Sequence, residues 1–405
     1  MELLAPAGNM SALHAAVRAG ADAVYLGLES FNARRGADNF TIATLKEACD
    51  YAHLRGVKIY VTLNIIVLPG EVGRALECAR QAWRAGADAL IIQDIGLASE
   101  IARALPDIRL HVSTQMNTCN AAGIRAAARM GAKRVTLARE LSVEEIAHLA
   151  QVGAEAGVEV EAFGHGALCI CYSGQCLMSS MIGGRSANRG LCAQACRLPY
   201  ELHNAAQRKP LSAPGEHLLS PKDLCSVDLL SDLARAGVAS LKIEGRMKTA
   251  YYVATVVSAY RRALDLLELE GAEAYRRAVP ELLAEVQKAS HRTLTTGFYF
   301  GAPEPPGGAE GFTQSMEYVG DVLCGAPDGG ECLVRLKNRF YVGDALEVLT
   351  PEGPRAFTVS RMTLAETGES VQTASVAGTL LHMPIPGGAG AGDLLRGPCR
   401  NHRSG

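Results

Sequence analysis

Residues 18–26 read RAGADAVYL, and residues 84–92 read RAGADALII. Looser copies of this phrase begin at Arg55, Arg129, Glu155 and Arg235. In each copy a helical stretch ends at a glycine that can adopt the left-handed cap conformation, and a short apolar strand follows. Repeated helix-to-strand junctions predict a parallel sheet in which strands alternate with helices.

Two further apolar segments complete a set of eight predicted strands. These strands are residues 3–5, 23–28, 57–63, 89–93, 109–113, 134–138, 158–162 and 240–244. Amphipathic helical stretches lie between them, for example residues 41–54 and 143–150. Eight strand-helix units predict a TIM (β/α)8 barrel. A doubly wound open sheet is the alternative, but it would usually carry an early glycine-rich phosphate loop, which LLAPAGN at residues 3–9 is not.

The pattern changes after the predicted barrel. Two helical stretches, 250–268 and 280–289, are followed from residue 294 by short alternating strands punctuated by turns. This pattern predicts a small antiparallel β-barrel. We therefore expect a barrel domain at residues 1–290 with a cysteine-rich insertion at 163–223, and a C-terminal β-barrel domain at 291–405.

Composition excludes several classes of protein. The formal net charge of the 405-residue chain is −2 at pH 7, so no global basic field draws it to nucleic acid, and any RNA contact must be local. No apolar run is long enough to cross a bilayer, and residues 1–30 lack a cationic start followed by a continuous apolar run. We expect a soluble cytoplasmic protein with no membrane partner.

Five of the twelve cysteines lie in one stretch: Cys169, Cys171, Cys176, Cys192 and Cys196. A reducing compartment argues against disulfides. Four of the five follow the spacing C-x6-C-x15-C-x3-C, whose wide loops suit a bulky iron-sulfur cluster better than structural zinc, which usually brings close ligand pairs. The stretch therefore predicts an inorganic centre, with iron-sulfur favoured and zinc as the alternative.

The predicted barrel places this centre at the active-site end. Catalytic groups of a TIM barrel gather where strands lead into helices, and the insertion follows the seventh predicted strand. Arg139, Lys242 and Arg246 end neighbouring strands, and Arg185 lies among the cysteines. Arginine pairs bidentately with carboxylate or phosphate, so this concentration predicts an anion site. Alternatively, some of these cations screen thiolates or pair with acidic neighbours such as Glu244.

Two polar residues at the predicted mouth are less specific. His165 comes shortly before the first cysteine of the stretch and could donate a proton, although a lone histidine is more often a hydrogen-bonded structural residue. Gln115 could fix a polar substrate through its amide or only satisfy the barrel rim. The chain has no H-E-x-x-H helix and no G-x-S-x-G elbow, so it lacks recognisable peptidase machinery.

Several stretches together resemble the collagenase-like peptidase family, U32. They are LLAPAGN, HVSTQMNTCNAAG, LARELSVEEI, EAFGHGALCICYSGQCLMSS, GLCAQACRLPYEL, LLSPKDLCSVDLL, LKIEGRMKTAYYVA and TTGFYFG, which span nearly the whole chain. Several members of that family are oxygen-independent hydroxylases with a 4Fe-4S cluster, acting on tRNA, ribosomal RNA or quinone precursors. The length and the single appended β-domain are most similar to the prephenate-dependent tRNA hydroxylation branch.

The resemblance implies an enzyme that forms 5-hydroxyuridine at the wobble position of tRNA, with prephenate as co-substrate and a paralogous partner protein or an electron donor. It puts the cluster ligands at Cys169, Cys176, Cys192 and Cys196, with Cys171 and Cys225 as alternates.

Prephenate is a dicarboxylate and tRNA carries phosphates, so the resemblance also implies that the arginines bind these anions. We expect catalytic roles for His165, Arg139 and Arg246, and substrate contacts from Arg185, Gln115, Lys242 and Glu244. The alternatives are a collagenase-like peptidase, a hydroxylase of ribosomal RNA or a quinone precursor, and a zinc-stabilised RNA-binding module.

Overall fold

Seven parallel strands form most of a barrel in the first part of the chain. They are β1 (Glu2–Pro6), β2 (Ala23–Gly27), β3 (Lys58–Leu63), β4 (Ala89–Ile92), β5 (Arg109–Val112), β6 (Ala132–Thr136) and β7 (Glu159–Ala167). Each strand pairs in parallel with the next one along the chain. The structure, a computed structural model, describes residues 1–204, 206, 209–210, 212, 216–303, 311–326 and 330–400.

Helices connect these strands and cover the outside of the barrel. They are α1 (Met10–Arg18), α2 (Ile42–His53), α3 (Val72–Arg84), α4 (Ile95–Ala104), α5 (Ala121–Arg129) and α6 (Val143–Ala156). In the repeated phrase, Gly20 and Gly86 have φ of 88° and 108°, conformations that L side chains rarely adopt. The recurring glycine therefore ends each helix and turns the chain into the next strand, as the sequence predicts.

After β7 the chain makes a long excursion before the barrel closes. We call residues 168–222 the excursion; it contains α7 (Met178–Gly183) and the short hairpin of β8 (His203–Asn204) and β9 (Lys209–Pro210). It returns as β10 (Asp223–Cys225), and α8 (Leu230–Arg235) then leads to β11 (Ser240–Ile243). Because β11 pairs in parallel with both β7 and β1, the barrel is closed. The TIM-barrel prediction is confirmed.

The ends of the excursion differ from those expected. β7 extends to Ala167 because β10 pairs antiparallel with its last residues. Beyond the barrel lie α9 (Ala250–Asp265), α10 (Ala272–Val286) and β12 (Leu294–Thr295). Since β12 pairs in parallel with β10, residues 294–295 extend the barrel's sheet instead of beginning the C-terminal sheet.

The C-terminal part is an antiparallel sheet domain, as predicted. Its strands are β13 (Met316–Cys324), β14 (Glu331–Leu336), β15 (Phe340–Tyr341), β16 (Ala345–Thr350), β17 (Gly353–Thr358), β18 (Thr363–Leu364), β19 (Thr373–Ala374), β20 (Leu380–Pro384) and β21 (Leu394–Pro398). Seven of them form one sheet in the order β17-β16-β21-β13-β14-β20-β18, while β15 pairs with β19. The sheet has an apolar core of its own, which includes Val322, Val334, Leu381 and Leu395.

Buried ion pairs join this sheet to the barrel helices. The Arg396 side chain of β21 is fully buried and pairs with Glu285 of α10 and Glu347 of β16. A second contact joins the partly exposed Arg18 of α1 to the buried carboxylate of Asp393. Removing one member of a buried pair leaves an uncompensated charge, so these contacts fix the sheet on the barrel. Within the described ranges, no helix is both long and apolar enough to span a membrane.

Candidate active site at the barrel mouth

Hydrogen bonds hold the excursion over the carboxyl ends of the barrel strands. Arg189 donates to both carboxylate oxygens of Glu71, in the β3–α3 connection, at 2.9 and 2.8 Å. This contact lowers the pKa of Glu71 to about 2. The Ser173 amide and hydroxyl donate to Glu140, after β6, at 2.9 and 3.0 Å. The excursion is thus attached to the mouth at separate points around its rim.

Two glycines allow the excursion to approach the rim closely. A Cβ at Gly174 would lie 2.1 Å from the Gln115 carbonyl oxygen, and a Cβ at Gly190 would lie 2.3 Å from the Asn32 carbonyl oxygen. Both glycines also have positive φ, 74° and 82°. Any larger residue at either position would both strain the backbone and push the excursion away from the barrel.

The structure brings the five cysteines of the excursion together. Burial raises the pKa of Cys171 to about 11, and the neighbouring thiols of Cys176, Cys169 and Cys196 contribute to the rise. Burial also raises the pKa of Cys196, with Cys169, Cys192 and Cys176 contributing. The thiols are therefore close enough to influence one another's ionisation.

Among the residues that the structure describes, no group of three or more His, Cys, Asp or Glu side chains is arranged to hold one metal ion. The thiolates of a 4Fe-4S cluster each bind a different iron and so stand farther apart than the ligands of one tetrahedral zinc. The Arg139 Nη1 atom lies 4.0 Å from Cys169 Sγ, where its charge would offset that of a thiolate-bound cluster.

Of the two alternate ligands, only Cys171 lies with the other thiols. Cys225 is buried on β10, where the Tyr260 hydroxyl donates to its sulfur at 3.8 Å. Burial raises the pKa of Cys225 to about 11, so its thiol stays protonated. This core position does not support Cys225 as a ligand.

A polar cleft opens below the thiols, at the carboxyl ends of the strands. Among the residues that line it are Arg34, Gln115, Arg139, Cys169, Glu244 and Arg246. The cleft therefore brings together one of the expected ligands, the expected amide and two of the three expected anion-binding arginines.

Three guanidinium groups and one carboxylate dominate the charge of this cleft. Arg34 Nη2 lies 3.3 Å from Glu244 Oε1, and Arg139 Nη2 lies 3.5 Å from Glu244 Oε2. Burial opposes ionisation of Glu244, but the surrounding cations outweigh it and lower its pKa. Arg246 donates to Thr62 and Asn32 at 2.8 and 2.9 Å, and burial lowers its pKa to about 10. The cleft therefore carries more positive than negative charge.

Lys242 lies at the floor of the cleft and is paired within the barrel. Its Nζ donates to Glu161 Oε1 at 2.9 Å, and Glu161 also lies 3.5 Å from Arg134. Burial opposes ionisation of Glu161, but Lys242 and Arg134 lower its pKa to about 2. The charge of Lys242 is therefore compensated by the barrel interior, which argues for a structural role instead of the expected substrate contact.

His165 and Arg185 are not placed in the cleft. The His165 side chain is 1% exposed and faces α9, with Nδ1 3.3 Å from the Tyr260 hydroxyl. Burial lowers the pKa of His165 to about 3, so the imidazole is neutral near pH 7. This position corrects the expected proton-transfer role, because the barrel wall separates the ring from the cleft. Arg185 is exposed just after α7.

Arg34 lies at a strand end where the sequence places functional groups, but it was not among the residues expected to act in catalysis or bind substrate. It follows β2, and the excursion approaches the same connection through a hydrogen bond from the Arg35 amide to the Gly190 carbonyl. The available signal was the position of Arg34 just beyond a predicted strand, where a TIM barrel places functional groups. Its pairing with Glu244 joins two distant parts of the sequence and has no local signature.

Two family models match this chain, one over the barrel with its thiol-bearing mouth and one over the antiparallel C-terminal sheet. The model of Peptidase family U32 matches residues 8–307, and the model of the Peptidase family U32 C-terminal domain matches residues 314–396. The chain belongs to Peptidase family U32, and the resemblance noted from its motifs is confirmed.

Curated relatives match over most of the chain. It is 36% identical to tRNA hydroxylation protein P1 of Bacillus subtilis over 358 residues, covering 87% of this chain and 84% of the relative. It is 32% identical to tRNA hydroxylation protein P of Escherichia coli, covering 95% and 94% of the two chains. It is also 36% identical to the 23S rRNA 5-hydroxycytidine C2501 synthase of Escherichia coli, covering 91% of this chain and 55% of that relative.

Proposed function

We propose that this chain is an iron-sulfur enzyme that hydroxylates tRNA without oxygen, forming 5-hydroxyuridine at the wobble position with prephenate as co-substrate. Relatives named as tRNA hydroxylation proteins, similar over most of both chains, support an RNA hydroxylase. The observation that carries the finer proposal is the placement of Arg34, Arg139, Arg246 and Cys169 around one cleft. An RNA substrate would put the protein in the cytoplasm.

The charge of the cleft suits a dicarboxylate. Arg34, Arg139 and Arg246 face one carboxylate, that of Glu244, so positive charge remains for a ligand with two carboxylates such as prephenate. Guanidinium groups recognise carboxylates through paired hydrogen bonds in a fixed plane. Prephenate bound here would lie beside Cys169, which lines the same cleft.

The thiols supply the second part of the proposal. Cys169, Cys176, Cys192 and Cys196 would hold the cluster, and Cys171 is the alternate that lies among them. A bound 4Fe-4S cluster would supply one-electron redox chemistry at the edge of the cleft. Arg139, which lies between Cys169 and Glu244, would position the anion next to these thiols. An electron donor or a paralogous partner protein belongs to the same proposal.

The test is nucleoside mass spectrometry of tRNA from cells with and without the gene. We expect 5-hydroxyuridine-derived nucleosides to disappear without the gene, to return with the wild-type chain and to stay absent with Cys176→Ala. Cys119→Ala, which removes an exposed thiol outside the excursion, should restore them and serves as the control. Unchanged nucleosides in a strain with no redundant paralogue would contradict the proposal.

Peptide hydrolysis is the second candidate, because the family is described as a peptidase family. It predicts cleavage of gelatin or collagen-like peptides by purified protein. Cleavage that persists in Cys176→Ala protein, together with unaltered tRNA, would favour this candidate over the hydroxylase.

A further inference from the structure

Exposed aromatic side chains are concentrated on the face of the barrel that carries the cleft. Among the described residues, the exposed Phe, Tyr and Trp side chains are Trp83, Tyr172, Phe300 and Phe312. We infer that Tyr172, Phe300 and Phe312 form a stacking surface for the unpaired bases of an RNA loop. This inference rests on the proposed function and adds how its substrate would be held.

Tyr172 and Phe300 both lie beside the β6–α6 connection. Tyr172 is 65% exposed and precedes Ser173, which hydrogen-bonds to Glu140 of this connection. Phe300 is 67% exposed and follows Tyr299, whose carbonyl accepts from the Val143 amide at the start of α6. Since α6 begins near the end of β6, both rings are placed at the carboxyl end of the barrel.

Phe312 lies beside the β11–α9 connection and carries two cations. The Lys248 Nζ lies 4.0 Å from the centroid of the ring, and the Arg292 guanidinium carbon lies 4.1 Å from it. The ring is nevertheless 52% exposed. Arg292 is buried and pairs with Asp223, so its contact holds the ring in place, whereas the partly exposed Lys248 adds positive charge beside a ring on which a base can stack.

Charge on the first part of the excursion favours a polyanionic partner. Residues 162–200 contain no Asp or Glu, although the whole chain has a net charge of −2 and the rest of the excursion contains Glu201 and Glu216. The Arg185 side chain is exposed in this segment. A basic segment beside exposed rings matches single-stranded RNA, in which bases stack on aromatic side chains while the backbone meets cations.

The arrangement also suits the reaction. An enzyme that modifies a base must take it out of the stack, and loop nucleotides are already unpaired. With the target base in the cleft, neighbouring bases of the loop could stack on the aromatic rings around the opening. Stacking on the rings would thereby offset part of the free energy needed to unstack the bases.

The experiment measures binding of fluorescently labelled RNA to full-length, cluster-loaded protein by anisotropy under anaerobic conditions. The probes are a synthetic anticodon stem-loop and a fully paired hairpin of the same composition. The variants are Tyr172→Ala, Phe300→Ala and Phe312→Ala. Trp83→Ala is the matched control, because Trp83 is an exposed aromatic near the carboxyl end of α3, which lies at the opposite end of the barrel.

We expect each mouth variant to weaken stem-loop binding about tenfold, the scale of losing one base stack, with little change for the paired hairpin. Trp83→Ala should bind as the wild type does, and Phe300→Tyr should retain affinity because it keeps a ring. Iron content and melting temperature should match the wild type, since all these positions are exposed.

Three results would overturn the inference. They are mouth variants that bind the stem-loop like the wild type, equal losses for the stem-loop and the paired hairpin, and a loss for Trp83→Ala as large as theirs. In the first of these cases, loss of a protein partner from the variants would assign the surface to that partner. If the wild type modifies tRNA while these variants bind normally, only this inference fails. A wild type that neither binds nor modifies tRNA would defeat the proposed function itself.

Discussion

Arg34 and Glu244 meet in the cleft with Nη2 and Oε1 3.3 Å apart, although almost the whole barrel sequence separates them. Arg139 approaches the other carboxylate oxygen at 3.5 Å. In the free protein Glu244 therefore occupies guanidinium groups that we propose bind a substrate carboxylate. The carboxylate of Glu244 thus takes the place in which a carboxylate of the substrate would be bound.

Glu244→Gln should therefore strengthen binding of prephenate. Removing the competing carboxylate frees Arg34 and Arg139, and we expect affinity to rise about tenfold, the scale of one charge-assisted hydrogen bond. Isothermal titration calorimetry measures the change. Glu29→Gln removes an exposed charge outside the cleft and should leave the affinity unaltered. Weaker binding by Glu244→Gln would instead show that Glu244 itself contacts the substrate.

Replacement of single cysteines should separate cluster ligands from other thiols. We expect Cys169→Ala, Cys176→Ala, Cys192→Ala or Cys196→Ala to lose most iron and labile sulfide in anaerobic preparations, since each ligand holds one iron. Cys225→Ala should keep iron and sulfide because its thiol lies in the core. Cys119→Ala should also keep them because its exposed thiol lies outside the excursion. Zinc without iron or sulfide in the wild type would contradict the cluster.

Lys242→Met should destabilise the fold. It leaves the buried Glu161 carboxylate with only Arg134 as a cationic partner, and breaking a buried pair costs about 3–5 kcal/mol. Urea unfolding measures the loss. Lys46→Met, which breaks an exposed pair with Asp50 on α2, is the control and should change little. If the Lys242→Met protein has normal stability but binds substrate more weakly, Lys242 contacts the substrate, as the sequence predicts.

His165 should make stability depend on pH below neutrality. Its pKa is lowered from 6.5 to about 3 by burial, so between these values the unfolded chain binds a proton that the folded protein does not. The free energy of unfolding therefore falls as pH decreases through this window, by at most about 1.4 kcal/mol per pH unit for one group. Chemical unfolding at several pH values should show a shallower slope for His165→Gln than for the wild type.

The exposed His148 on α6 provides the control for that measurement. His148→Gln should keep the wild-type slope. Equal slopes for His165→Gln and the wild type would mean that the His165 ring is accessible to protons in the folded protein, and a role at the active site would have to be reconsidered.

The barrel could be predicted because its signals are local. Each copy of the repeated phrase contains a helix end, a cap glycine and a strand start within a few residues, and Gly20 and Gly86 adopt the predicted conformation. The cysteines could be expected near one another because a single excursion carries them. Such features need no knowledge of how distant segments pack.

The direction of side chains along β7 and β11 could not be predicted. Strands covered on both faces read as continuous apolar runs, so the sequence does not show which residues face the barrel interior. A register shift then changes the alternation, because Lys242 pairs with Phe163 whereas the next residue, Ile243, pairs with His165. The irregularity turns His165 outward towards α9.

Local signals are enough to predict an eight-stranded parallel barrel, an appended antiparallel sheet and a thiol-rich segment at the barrel mouth, because helix caps, apolar periodicity and residue spacing act over short distances. The position of Glu244 between Arg34 and Arg139, the pairing of Lys242 with Glu161 and the place of His165 outside the cleft became known from the folded chain alone. Those outcomes depend on closure of the barrel and on strand register, which bring together charges from distant parts of the chain.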